Sequence, residues 1–164
     1  MDNYKLKLKD CCLTLEQAKE LSDLGIDIQN SIYSYVRQTV DCMGKQIEEE
    51  RFFNLHVNEG GFFVSGFEKW EEVPTLTNSE MLEMLPNKIL KKPKERSLPY
   101  VEPYDDDGLC EYLLEIDKYR IRYCLYGDDG VDLLEIISSE GKLFRDALFE
   151  MIKYLRENNT DIKY

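Results

Sequence analysis

The chain has 164 residues, of which 33 are acidic and 21 basic, a formal charge of -12. That surplus repels phosphate backbones and anionic membranes over a Debye length of roughly 8 Å, so direct nucleic-acid binding and membrane association are not expected. Hydrophobic residues at 43% and aromatics at 12% supply a core, and the length suits one domain, residues 1-164, as a monomer or small homo-oligomer.

No run reaches the roughly 18 apolar residues of a membrane span, and the opening "MDNYKLKLKDCCLTLEQ" lacks the apolar centre of a secretion signal. The expected compartment is the cytoplasm. Cys11, Cys12, Cys42, Cys110 and Cys124 show no C-x-x-C spacing, which fits free thiols in a reducing compartment and packing roles for adjacent Cys11 and Cys12.

In chain order, "LTLEQAKELSDLGID" predicts a short helix. Thr14 and Gln17 stand at capping-box spacing, Leu15, Ala18, Leu21 and Leu24 recur at helical intervals, and Gly25 is placed as a left-handed C-terminal cap with Ile26 folding back. "SIYSYVRQ" predicts a strand, and "RFFNLHVNEGGFFVSGFEKW" predicts two strands joined at Asn58 to Gly61. A second capping box, Thr77 with Glu80, opens a helix in "LTNSEMLEMLP" that Pro86 ends. Residues 91-108, "KKPKERSLPYVEPYDDDG", read as a Pro-rich charged loop. Alternation in "CEYLLEIDKYRIRYCLYGDDGVDLLEII" predicts a three-stranded antiparallel meander. Finally Leu143, Phe144, Ala147, Leu148, Met151, Ile152 and Leu155 form the apolar stripe of a closing helix.

Segregated hairpins and helices without strand-helix-strand alternation predict an α+β domain. Its expected form is one antiparallel sheet of five or six strands, with the long C-terminal helix packed across a face and two shorter helices beside it.

The chemistry-bearing candidates are few. "YGDDG", Tyr126 to Gly130, resembles the metal-holding turn of RNA-dependent RNA polymerases, yet a two-metal centre needs a further carboxylate, a cationic channel and a larger fold. Between two alternating runs, Asp-Asp-Gly is also what a strand bend requires. Asp105, Asp106, Asp107, Asp128, Asp129 and Asp132 offer oxygen ligands for Mg²⁺ or Ca²⁺ only if their loops meet, and neither stretch has EF-hand spacing. His56, the single histidine, carries no nucleophile signature around it. Glu115 and Glu135 are the carboxylates lodged in apolar sequence, each read as an outward residue on a half-exposed strand. Trp70 with Phe52, Phe53, Phe62, Phe63 and Phe67 lacks the basic interleaving of a base-stacking platform. No glycine-rich phosphate loop occurs. The sequence therefore predicts no catalytic, cofactor-binding or metal-binding residue and no cofactor, and it leans away from an enzyme.

Three segments, "LTLEQAKELSDLGID", "KWEEVPTLTNSEMLEMLPNKI" and "LFRDALFEMIKYLRENN", in that order resemble small acidic proteins of prophages and mobile elements of Bacteroides-type bacteria. The resemblance implies no activity, cofactor or catalytic residue. Together with the charge, it gives the expectation of a non-enzymatic accessory protein whose acidic surface meets a basic protein surface. The alternative is a small Mg-dependent hydrolase or nuclease using the Asp-rich loops.

Overall fold

The computed structural model describes residues 8-41, 43-47, 54-57, 69-93, 108-117, 120-127, 130-137 and 143-158. Contacts divide the chain into two compact units, Met1–Glu80 together with Tyr164, and Met81–Lys163. The architecture is α+β, with two small antiparallel sheets where the sequence predicts one sheet of five or six strands.

In the first unit a single helical turn, α1 (Leu8–Cys11), precedes α2 (Leu15–Asp23). The capping box forms as its spacing predicts. The Gln17 amide donates to Thr14 Oγ1 at 3.2 Å, and the Thr14 amide donates to Gln17 Oε1 at 3.0 Å. At the other end Gly25 takes φ 75°, a left-handed conformation open to a residue without Cβ. Its amide donates to Ser22 O and the Ile26 amide to Leu21 O, at 2.9 and 3.0 Å, which closes a Schellman motif with Leu21 and Ile26 both buried.

The first sheet has the order β2-β1-β3, from β1 (Tyr33–Val40), β2 (Asn54–Val57) and β3 (Lys69–Thr75). Strand β1 lies in the middle, with Tyr35 opposite Leu55 on one side and Val73 on the other. The predicted turn at Asn58 to Gly61 lies outside the described residues, and β2 pairs with the preceding strand β1. Strand β3 runs through Pro74, opposite Ser34; proline brings no amide donor and belongs on an edge strand. The Leu13 backbone ties α2 to this sheet. Its carbonyl accepts from the Tyr35 hydroxyl at 2.8 Å and from Thr75 Oγ1 at 3.1 Å, and its amide donates to Leu76 O at 2.9 Å.

Helix α3 (Asn78–Met84) opens on the second capping box. Glu80 Oε2 accepts from the Thr77 amide at 2.7 Å while the Glu80 amide donates to Thr77 Oγ1 at 3.2 Å. Glu80 Oε1 also accepts from the Ile32 amide at 2.9 Å, so one carboxylate serves both the helix start and the entry to β1.

The second sheet has the order β4-β5-β6-β7, from β4 (Lys88–Lys91), β5 (Cys110–Ile116), β6 (Arg120–Gly127) and β7 (Gly130–Ile137). The meander predicted over its last three strands pairs in sequence. Strand β4 takes in Lys91, the first residue of the predicted loop, and residues 94-107 lie outside the described residues. Helix α4 (Phe144–Glu157) packs on β6 and β7 and buries Ala147, Leu148, Phe149, Met151, Ile152 and Leu155. Each large apolar side chain of that set contributes about 1.5–3 kcal/mol by leaving water. Ile89, Cys110, Tyr112, Ile121, Tyr123 and Leu125 are buried on the face of the sheet beneath. The Tyr123 hydroxyl is satisfied there by Pro86 O at 2.7 Å, and burial pushes its pKa up.

The strands divide between two sheets for a non-local reason. Strand β1 already has a partner on each edge, β3 is followed at once by the Thr77 cap that turns the chain into a helix, and β4 starts a new ladder against β5. No helix among the described residues is long and apolar enough to cross a membrane.

Candidate functional site on the open face of the second sheet

The face of the second sheet that carries Ile89, Tyr112, Ile121 and Tyr123 belongs to the core. The pleat directs alternate residues to the other face. Strand register arranges these in rows. Lys88, Leu113, Cys124 and Leu133 form one row, Glu115, Arg122 and Glu135 a second, and Tyr126 with Val131 a third. Leu90 is 44% exposed, Leu113 48%, Tyr126 55% and Val131 44%, so large apolar groups stand in solvent across the width of the sheet.

Glu115, Arg122 and Tyr126 among them satisfy one another. Glu115 Oε2 accepts from Arg122 Nε at 3.0 Å and from the terminal guanidinium nitrogen at 2.7 Å, while Glu115 Oε1 accepts from the Tyr126 hydroxyl. The Tyr126 hydrogen bond and the Arg122 guanidinium hold the Glu115 carboxyl below its ordinary value. The same bond pushes the Tyr126 phenol up to about 12. Between them Cys124 is 1% exposed, and burial raises its thiol pKa, with the Glu115 charge adding to the effect. Beside this cluster Lys88 Nζ meets Glu111 Oε2 at 2.7 Å.

This arrangement lacks the pKa shifts of an acid–base or thiol centre. A general acid needs a carboxyl pKa raised toward neutrality, and Glu115 is shifted the opposite way with both oxygens occupied. A nucleophilic cysteine needs a depressed pKa, and that of Cys124 is raised. Glu115 and Glu135, singled out by the sequence, occupy register positions on either side of Arg122, so a guanidinium-bearing strand separates them.

Among the described residues the other candidates are not gathered into a site. Asp105 to Asp107, Asp128 and Asp129, Cys42 and the Phe52, Phe53, Phe62, Phe63 and Phe67 group lie outside the described residues. Gly127 pairs with Gly130, which brackets Asp128 and Asp129 between two paired strands, and Asp132 stands opposite Leu125. His56 stands opposite Ser34 in the first sheet, and Trp70 opposite Gln38. Among the described residues no three of His, Cys, Asp and Glu are grouped to hold a metal ion. A groove of about 260 Å³ between α2 and β3, lined by Lys19, Ser22, Asp23, Ile28, Glu72 and Pro74, falls below the usual size of a ligand pocket and mixes both charge signs.

Sequence reasoning missed Leu90, Leu113, Arg122 and Val131 as site residues. A signal was present. "YLLEI" and "VDLLEII" carry apolar residues in both phases of the strand period, the pattern of strands covered on two faces. Comparison with protein-family models, with curated proteins and with solved structures finds no match to this chain.

Proposed function

We propose that this chain is a non-enzymatic accessory protein of a phage or mobile element, working through protein–protein contacts. The observation that carries the reading is the open sheet face, where Leu90, Leu113, Tyr126 and Val131 are exposed around ion pairs that already satisfy one another. Exposed apolar patches rimmed by polar groups mark contact surfaces. The prophage-type resemblance supports the class of protein, and the charge of -12 supports a basic partner surface for the acidic remainder.

The experiment is a crosslinking pull-down from a Bacteroides-type host lysate with the wild-type chain and with Leu113→Asp/Val131→Asp. A partner recovered by the wild type and lost with the double variant supports contact through this face. Equal recovery by both removes the face from the reading. The alternative, a Mg-dependent hydrolase or nuclease on the Asp-rich loops, rests on sequence alone.

A further inference from the structure

Building on the reading of the open face as a contact surface, we propose that its occupant is a second copy of this chain, the two sheets stacked face to face about a twofold axis. Three observations converge on a copy as opposed to a basic partner.

The first is charge. A chain of formal charge -12 repels its own copies over most of its surface. The register positions of the open face are balanced, with Lys88, Arg120 and Arg122 against Glu111, Glu115 and Glu135, three of each sign. A basic protein gains nothing from a neutral face. A second copy meets its least repulsion there.

The second is saturation. Glu115 has both oxygens engaged by Arg122 and Tyr126, and Lys88 is paired with Glu111, so covering these groups strands neither their carboxylates nor the ammonium. A removed partner would leave a buried uncompensated charge, which is the expensive case. Leu90, Leu113 and Val131 then supply the apolar contact, and stacked sheets pack about 10 Å apart through such residues.

The third is area. Strands of four, seven, eight and eight residues, at about 3.3 Å per residue and about 4.8 Å apart, give a face of roughly 430 Å², and two such faces cover roughly 860 Å². That lies just under the roughly 1,000 Å² at which stable specific interfaces begin. The dimer is accordingly weak and concentration-dependent, and its salt response has a definite sign: salt screens the repulsion between like-charged copies, so association tightens as salt rises. Docking onto a basic surface weakens instead.

Sedimentation equilibrium of the full chain, at rising concentration through the submillimolar range and at low and high salt, tests the proposal. The expected result is a monomer–dimer equilibrium strengthened by salt, with at least a tenfold loss of association in Leu113→Asp. Val131→Asp, on the edge strand β7 and 44% exposed, repeats the test should Leu113→Asp perturb the fold by circular dichroism. A wild type that stays monomeric throughout, a dimer weakened by salt, or a dimer indifferent to both substitutions overturns it. A monomeric wild type whose host partner is lost on Leu113→Asp/Val131→Asp means that another protein occupies the face; this inference then fails while the contact-surface reading stands.

Discussion

Tyr126 and Glu115 sit on adjacent antiparallel strands, and the tyrosine hydroxyl donates to Glu115 Oε1 although the residue opposite Glu115 in register is Arg122. The tyrosine side chain therefore reaches diagonally across the sheet, past Cys124, which is left 1% exposed. One carboxylate fixes the orientation of both the aromatic ring and the guanidinium.

The two pKa shifts give opposite pH dependences. Glu115 is more acidic folded than unfolded, so its contribution to stability is present above its ordinary value of 4.5 and is lost as pH falls through the depressed folded value. Tyr126, raised from 10.0 to about 12, contributes fully below pH 10 and loses that contribution as pH rises through about 12. Tyr126→Phe is expected to move the Glu115 midpoint upward, with Arg122 still holding it below the ordinary value. Carboxyl-carbon NMR titration reads this directly, and an unmoved midpoint in the variant would mean that the hydrogen bond is absent in solution.

The Leu13 carbonyl has two side-chain donors, the Tyr35 and Thr75 hydroxyls. Tyr35→Phe or Thr75→Val alone leaves the acceptor one partner and should cost about 1 kcal/mol each. The double variant strands a buried carbonyl, since Leu13 is fully buried, and its cost should exceed the sum by on the order of 1 kcal/mol. Urea unfolding of the four proteins measures the coupling; strict additivity would rule out a shared acceptor.

Thr14→Ala and Thr77→Ala each remove one capping-box acceptor and should destabilise by about 1 kcal/mol. Glu80→Ala should cost more than Thr77→Ala, by roughly another 1 kcal/mol, because the carboxylate also accepts from the Ile32 amide before β1. The ranking, read from denaturant midpoints at constant m-value, is the test. A Glu80→Ala effect no larger than that of Thr77→Ala would show the Ile32 contact to contribute nothing.

Asp128→Asn with Asp129→Asn removes both carboxylates from a two-residue connection between paired Gly127 and Gly130. A purely structural bend tolerates the change, so stability should stay within about 0.5 kcal/mol of the wild type. Calorimetric titration with Mg²⁺ and Ca²⁺ should give the same trace for wild type and variant. Cation binding that disappears with the substitution would revive the hydrolase reading.

What the sequence reveals depends on how local each interaction is. Both capping boxes and the Gly25 cap are settled within five residues, and each forms as its spacing predicts. Alternation likewise exposes β5, β6 and β7, whose partners follow directly in the chain. Strand β4 hides in "KILK", too short for a period to show, and β3 hides behind its proline. Partner choice is the non-local part: β1 takes β3, with β2 intervening in sequence, and nothing in either segment announces the match. The open face was legible in principle, because apolar residues in both phases of a strand imply a second cover. The diagonal reach of Tyr126 to Glu115 was not, since it depends on a rotamer and not on spacing.

Pro74 has a consequence for the chain in crowded surroundings. Among the described residues β3 has β1 as its sole strand partner, so its outer margin is where a strand of another molecule would add. A proline there brings no amide donor to a growing ladder, and Glu72 in the same strand adds a negative charge beside it. Strand addition along β3 is thereby disfavoured, and Pro74→Val removes that interruption.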